Sequence, residues 1–157
     1  MATVEVSFTP LPAHVRTARL VATAVARRSG VPETLLDEVR LAVGEACSRA
    51  VEAHQQHCPA EPIRIALTDR AGRFEIEVLH VGQPAHTPAH DHTPGDGERP
   101  RGGGDPPPGE NTLLSPGFSL AVIAGLADEV QISETASGTI LRMSWPLSGS
   151  PHAGSSA

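Results

Sequence analysis

The chain contains no lysine and no tyrosine, and all twelve of its basic residues are arginine. A P-loop nucleotide site needs a lysine on its phosphates, and the eukaryotic-type protein kinases need one on their third strand. Schiff-base catalysis needs a lysine as its nucleophile. The missing lysine therefore excludes these three classes of enzyme, although it does not select among the classes that remain.

Long apolar runs are also missing. No stretch approaches the roughly 18–20 apolar residues that span a bilayer, and the N-terminus has no charged segment followed by an apolar one. The two cysteines, Cys47 and Cys58, are expected to be free thiols. A net charge of −6 argues against a nucleic-acid or anionic-membrane surface. We therefore expect a cytoplasmic protein that binds neither nucleic acid nor membrane.

Hydrophobic periodicity predicts one α/β domain over residues 1–147, because 157 residues suffice for a single core. Two helices are predicted in the first third of the chain, the second over residues 36–54, and a third over residues 118–127. Alternating apolar residues predict strands at 3–9, 63–67, 74–78, 130–132 and 139–145. These elements favour a two-layer α/β sandwich, in which a mixed β-sheet carries helices on one face.

Two segments do not have the composition of a packed core. Residues 83–112 are rich in proline, glycine and histidine, and we expect a disordered lid loop there. The small polar residues 148–157 predict a disordered tail. His86, His90 and His92 raise the alternative of a metal-responsive loop, but nothing nearby would orient their rings, so we predict no metal site. Deletion of residues 83–112 would test that alternative.

Four short motifs follow one another in a specific order along the predicted elements. They are Glu45-Ala46-Cys47-Ser48-Arg49-Ala50, His80-Val81-Gly82, Ser115-Pro116-Gly117-Phe118 and Ser137-Gly138-Thr139. Together they resemble the nucleotide-binding boxes of the histidine-kinase-like (GHKL) ATPases, specifically the bacterial anti-sigma-factor serine kinases. The resemblance covers residues 3–146 and implies the histidine-kinase-like ATPase fold.

The resemblance also implies roles for individual residues, and two positions depart from the family pattern. Glu45 keeps the place of the catalytic glutamate of an active kinase. Arg49 replaces the asparagine that holds magnesium, and a guanidinium has donors only and cannot ligate a cation. His80 replaces the aspartate that accepts a hydrogen bond from adenine, and a neutral imidazole offers a single acceptor nitrogen.

The remaining nucleotide-binding candidates match the family better. Gly82, Gly117 and Phe118 retain positions that frame the nucleotide, and Thr139 retains the position that supports the adenine end. Their neighbours Pro84 and Pro116, by contrast, each remove a backbone N–H donor. ATP and Mg²⁺ are the cofactors that a functional kinase site would use. From the departures we expect ATP binding to be weak or lost, with no cofactor.

Two functions are consistent with these observations. The favoured one is an anti-sigma-factor-like, partner-switching regulator that binds a sigma factor and/or an anti-anti-sigma (STAS) protein, without turnover, through its first two helices and the face near the lid. The alternative is an active ATP-dependent serine kinase that phosphorylates an anti-anti-sigma protein. A homodimer through the sheet edge and first helix, as the resembled family commonly forms, is compatible with the sequence.

Overall fold

A computed structural model describes residues 2–81 and 116–149, with side chains described from Leu120 onward in the second range. The described chain forms five strands, three α-helices and a short 3₁₀ turn. In chain order these are β1 (Ala2–Phe8), α1 (Pro12–Ser29), the turn Glu33–Leu35, α2 (Leu36–His57), β2 (Ile63–Arg70), β3 (Arg73–His80), α3 (Pro116–Leu126), β4 (Glu129–Thr135) and β5 (Gly138–Pro146).

The strands form one sheet in the order β1-β2-β3-β5-β4, and every neighbouring pair is antiparallel. The predicted two-layer sandwich is confirmed, with one correction: the sheet is antiparallel throughout the described strands rather than mixed. The reason is the path of the chain. It passes through α3 from β3 to β4, which runs parallel to β3 and is separated from it by one strand. The tight turn after β4 then returns β5 into the gap, antiparallel to both neighbours.

The helices cover one face of the sheet and enclose the core. Alternate residues of the three central strands point toward the helices, including Phe74, Ile76 and Trp145, which are almost fully buried. Small side chains on the buried faces of α1 and α2 let the two helices approach closely. The indole N–H of Trp145 donates to the carbonyl of Leu126 at 3.0 Å, which joins β5 to the end of α3.

The remaining sequence predictions are resolved to different degrees. Helix α2 extends three residues beyond the predicted 36–54, and Cys47 and Cys58 are free thiols as expected. Among the described helices, none combines the length and the apolar content that crossing a membrane requires. The predicted lid loop, residues 83–112, lies outside the described residues, as does the tail beyond residue 149.

Gly138 begins β5 at a point where only glycine is accommodated. Its φ is +133°, a conformation that L side chains rarely adopt. A Cβ at this position would lie 2.4 Å from the carbonyl oxygen of His80 and 3.1 Å from Cα of Val81. The missing side chain thus lets the β4–β5 turn contact the end of β3 directly.

Replacing Gly138 by alanine is therefore expected to destabilise the fold by roughly 2–3 kcal/mol, because the backbone must shift to relieve both the clash and the strained φ. Urea unfolding followed by circular dichroism measures this change. Gly125→Ala is the matched control, since no atom lies within 4 Å of its added Cβ. That control should be neutral or stabilising by up to about 1 kcal/mol, and equal effects of the two substitutions would contradict the steric argument.

Candidate functional site

Three of the predicted site residues lie together where α2 crosses one end of the sheet. His80 and Thr139 are directly opposite each other in the β3–β5 register. Arg49 projects from α2 close enough for its charge to act on the His80 imidazole. Glu45 lies one helical turn before Arg49 and is half-buried, as Arg49 is.

The other candidates are placed only in part. Gly117 and Phe118 lie in the first turn of α3, and the Phe118 side chain is not among the described ones. Gly82 lies outside the described residues. The nucleotide-binding roles assigned to these residues therefore stay predictions.

His80 occupies an environment that disfavours its charged form. It alternates with Val78 and so points toward the helix layer, where it is half-buried. Burial lowers the pKa of His80, the positive charge of Arg49 and the neighbouring His54 lower it further, and a hydrogen bond with the Thr139 backbone opposes these effects. With its pKa below 6.5, His80 is mainly neutral at pH 7.

The same charges test whether a magnesium ion fits this site. Arg49 stands where the resembled family places its metal ligand, and its charge already disfavours a proton on His80. A divalent cation in that place would meet the same repulsion, more strongly. No group of three histidine, cysteine, aspartate or glutamate residues that could hold a metal occurs in the part of the chain that the structure describes. Arg49 itself does not fit Mg²⁺, because a guanidinium has only donor atoms and a positive charge.

His54, in the last turn of α2, is a residue that the sequence motifs do not single out. It is fully buried. Its Nε2 accepts the backbone N–H of Val81 at 2.8 Å, and its Nδ1 contacts the carbonyl oxygen of Glu61 at 2.8 Å. The signal was present in the periodicity, because position 54 follows Ala50 by one turn on the buried stripe of α2.

The two cysteines differ in their access to solvent. Burial raises the pKa of Cys47 to about 12, against a smaller opposing effect of Arg19. Desolvation and the Glu61 carboxylate raise the pKa of Cys58, which is only partly buried. Both thiols are therefore protonated at neutral pH, and neither has the lowered pKa of a reactive cysteine.

Two grooves lie outside this cluster. One of about 580 Å³ lies on the sheet face opposite the helices, lined by residues that include Arg64, Glu77 and Ile140. A second of about 250 Å³ lies between α1 and α2, beside Arg19 and Glu52. Neither contains a predicted site residue.

Comparison with known proteins shows the family and the fold of this chain. The sequence model of a family described as "Histidine kinase-like ATPase domain" matches residues 8–145. Similar solved structures include "The crystal structure of the RsbU and RsbW domains of Rv1364c from Mycobacterium tuberculosis", with a TM-score of 0.63 and 17% identity. That match covers 94% of this chain but only 33% of the solved chain. At this low identity the match shows the fold alone. No curated protein gave a significant match.

The charge of Arg49 makes a measurable prediction for His80. Because that charge helps lower the pKa of His80, Arg49→Asn should raise it, whereas burial should still hold it below the ordinary value. NMR titration of the imidazole signals checks this, with His80→Asn for assignment. Arg40→Asn is the control, because Arg40 also lies on α2 but pairs with Asp37 at 2.6 Å. An Arg49→Asn protein with an unchanged His80 pKa would refute the coupling.

The same lowered pKa predicts how stability depends on pH. Below the ordinary histidine pKa of about 6.5, the unfolded state gains a proton at residue 80 before the folded state does. The contribution of neutral His80 to the free energy of unfolding is therefore fully present above pH ~6.5. It is lost as the pH falls through the pKa that His80 has in the folded state. Urea unfolding between pH 7.5 and 5 should show a smaller acid-side decline in His80→Asn than in the wild type. Equal declines would contradict this contribution.

Proposed function

Because the chain belongs to the histidine kinase-like ATPase domain family, we propose that it is a partner-switching regulator of the anti-sigma-factor type. It binds a sigma factor and/or an anti-anti-sigma (STAS) protein, and its ATP binding is weak or lost. The observation that carries the proposal is that Arg49 lies close enough to His80 for its charge to lower the pKa of that imidazole, where the family resemblance assigns the metal and adenine contacts.

The chemistry of phosphoryl transfer supports binding over turnover. Such enzymes act almost entirely by positioning the phosphates and neutralising their charge with metal ions. Arg49 has only donor atoms and therefore cannot bind a metal ion. His80 can accept a hydrogen bond from the amino group of adenine through one ring nitrogen only, where the family has a carboxylate. Glu45 keeps the place of the catalytic glutamate, which leaves the serine kinase as the alternative function.

The helix layer offers a surface for a protein partner. Leu20 on α1 is 60% exposed and Leu41 on α2 is 51% exposed. Large aliphatic side chains at the surface of the first two helices are what a protein interface would bury, although single exposed leucines also occur elsewhere on proteins. We therefore place the partner surface on the outer side of these two helices.

The first experiment is isothermal titration calorimetry of the full chain with ATP, with and without Mg²⁺. It is followed by titration with purified sigma factors and STAS proteins encoded in the same genome. We expect no magnesium-dependent ATP binding, and we expect a complex with at least one partner whose Kd is the same with and without ATP. Magnesium-dependent ATP binding together with phosphorylation of a STAS serine would instead establish the kinase.

Once a partner is found, the proposed surface is tested by Leu41→Ser and Leu20→Ser. Each should weaken the complex at least about tenfold if the side chain is buried at the interface, since central interface residues contribute most of the binding energy. Ile132→Ser is the control, because Ile132 is 49% exposed but lies on the edge strand β4. Weaker binding only in Ile132→Ser would place the partner on the sheet edge and refute the helix surface.

A further inference from the structure

Val81, the first residue after β3, has both of its backbone hydrogen-bonding groups bound by side chains. These belong to His54, near the end of α2, and Cys58, directly after it. The N–H of Val81 donates to Nε2 of His54 at 2.8 Å. Its carbonyl accepts the Sγ–H of Cys58 at 3.0 Å. Both backbone hydrogen-bonding groups of a residue that has left the β3–β5 ladder are thus satisfied by side chains that lie more than twenty positions earlier in the chain.

The hydrogen bonds of His54 define its chemical form. Because Nε2 accepts from the Val81 N–H, the proton of a neutral imidazole must be on Nδ1, which then donates to the carbonyl of Glu61. The two bonds use the whole hydrogen-bonding capacity of the ring. Since His54 is fully buried, losing either partner would leave an unsatisfied polar atom in the core.

The turn after α2 is closed by the same residues. The Cys58 N–H donates to the His54 carbonyl at 2.8 Å, and the Glu61 N–H donates to the Cys58 carbonyl at 3.0 Å. With the His54–Glu61 contact, these bonds form a closed ring of three residues. The two groups that hold Val81 therefore lie on a turn whose own backbone is fixed.

Gly138, at the start of the neighbouring strand β5, contacts the peptide group between His80 and Val81. An added Cβ there would lie 3.1 Å from Cα of Val81 and 2.4 Å from the carbonyl oxygen of His80. The end of β3 is thus confined by α2 on one side and by the start of β5 on the other. His80, one of the residues of the candidate site, directly precedes Val81 in the chain.

We propose that His54 is a positioning residue. Together with Cys58 it holds the backbone N–H and C=O of Val81, and it thereby fixes the position of the end of β3 without any bound nucleotide. The candidate site then has its geometry in the nucleotide-free protein. The positioning rests on the contacts alone, whereas the absence of nucleotide from the site rests on the function proposed above.

Two substitutions separate the two hydrogen bonds of His54. In His54→Asn, the amide can still donate to Glu61, as Nδ1 does, but no atom reaches the Val81 N–H. In His54→Gln, the amide oxygen can take the place of Nε2 and accept from Val81. We expect hydrogen exchange of the Val81 amide, followed by NMR, to be at least about tenfold faster in His54→Asn than in the wild type, with His54→Gln closer to the wild type.

Cys58 provides a second readout. Because Cys47 is buried, reaction with a disulfide reagent such as DTNB in the native protein reports on Cys58. We expect Cys58 to react faster in His54→Asn, where the Val81 peptide is released, than in His54→Gln. Equal rates of exchange and of thiol reaction in the two variants would overturn the proposal.

The wild-type protein tests the proposal without any variant, in case His54→Asn does not fold. Long-range ¹⁵N spectra of the imidazoles should show Nε2 of His54 as the unprotonated nitrogen, and Val81 should be protected equally with and without excess Mg-ATP. A proton on Nε2, or protection of Val81 that appears only with ATP, would overturn the proposal. ATP binding to a protein whose Val81 is already protected would instead contradict the proposed function and leave the positioning intact.

Discussion

Helix α2 packs a stripe of small and apolar side chains against the sheet, and the position of every described site residue depends on that contact. Val39, Val43 and Cys47 on this stripe are completely buried. Their burial is favourable because it removes apolar surface from water, and it also sets the height and rotation of the helix over β3. With α2 held in this way, the charge of Arg49 acts on His80, and His54 reaches the backbone N–H of Val81, the residue after β3.

Electrostatics then decides what this end of the sheet can do. Burial and then the charge of the Arg49 guanidinium lower the pKa of His80, which favours the neutral form of this imidazole. In such surroundings charges interact more strongly than in water, so a further cation is disfavoured. The charge of Arg49 therefore disfavours a magnesium ion next to this residue.

Much of the fold could be predicted from local signals. Periodicity predicts the order of helices and strands and the packing of the helices on one face of the sheet. Glycine and proline positions predict where a helix ends, as α1 does before Gly30. Both signals can be read from each segment by itself. The antiparallel direction of all the strands did not follow. It depends on β5 filling the gap that α3 leaves between β3 and β4, and strand order is a property of the whole chain path.

The sequence alone determined which chemistry was available: no lysine, an arginine four residues after Glu45, a histidine at the end of β3, and motifs in the order of one family. Only the tertiary structure decided what His54 and Gly138 do. A histidine on an apolar stripe becomes a hydrogen-bonding anchor only when Val81 and Glu61 reach it from other elements. A glycine in a turn becomes obligatory only when another strand's carbonyl lies where its Cβ would be. Both depend on distances between segments far apart in the chain, which local sequence patterns do not encode.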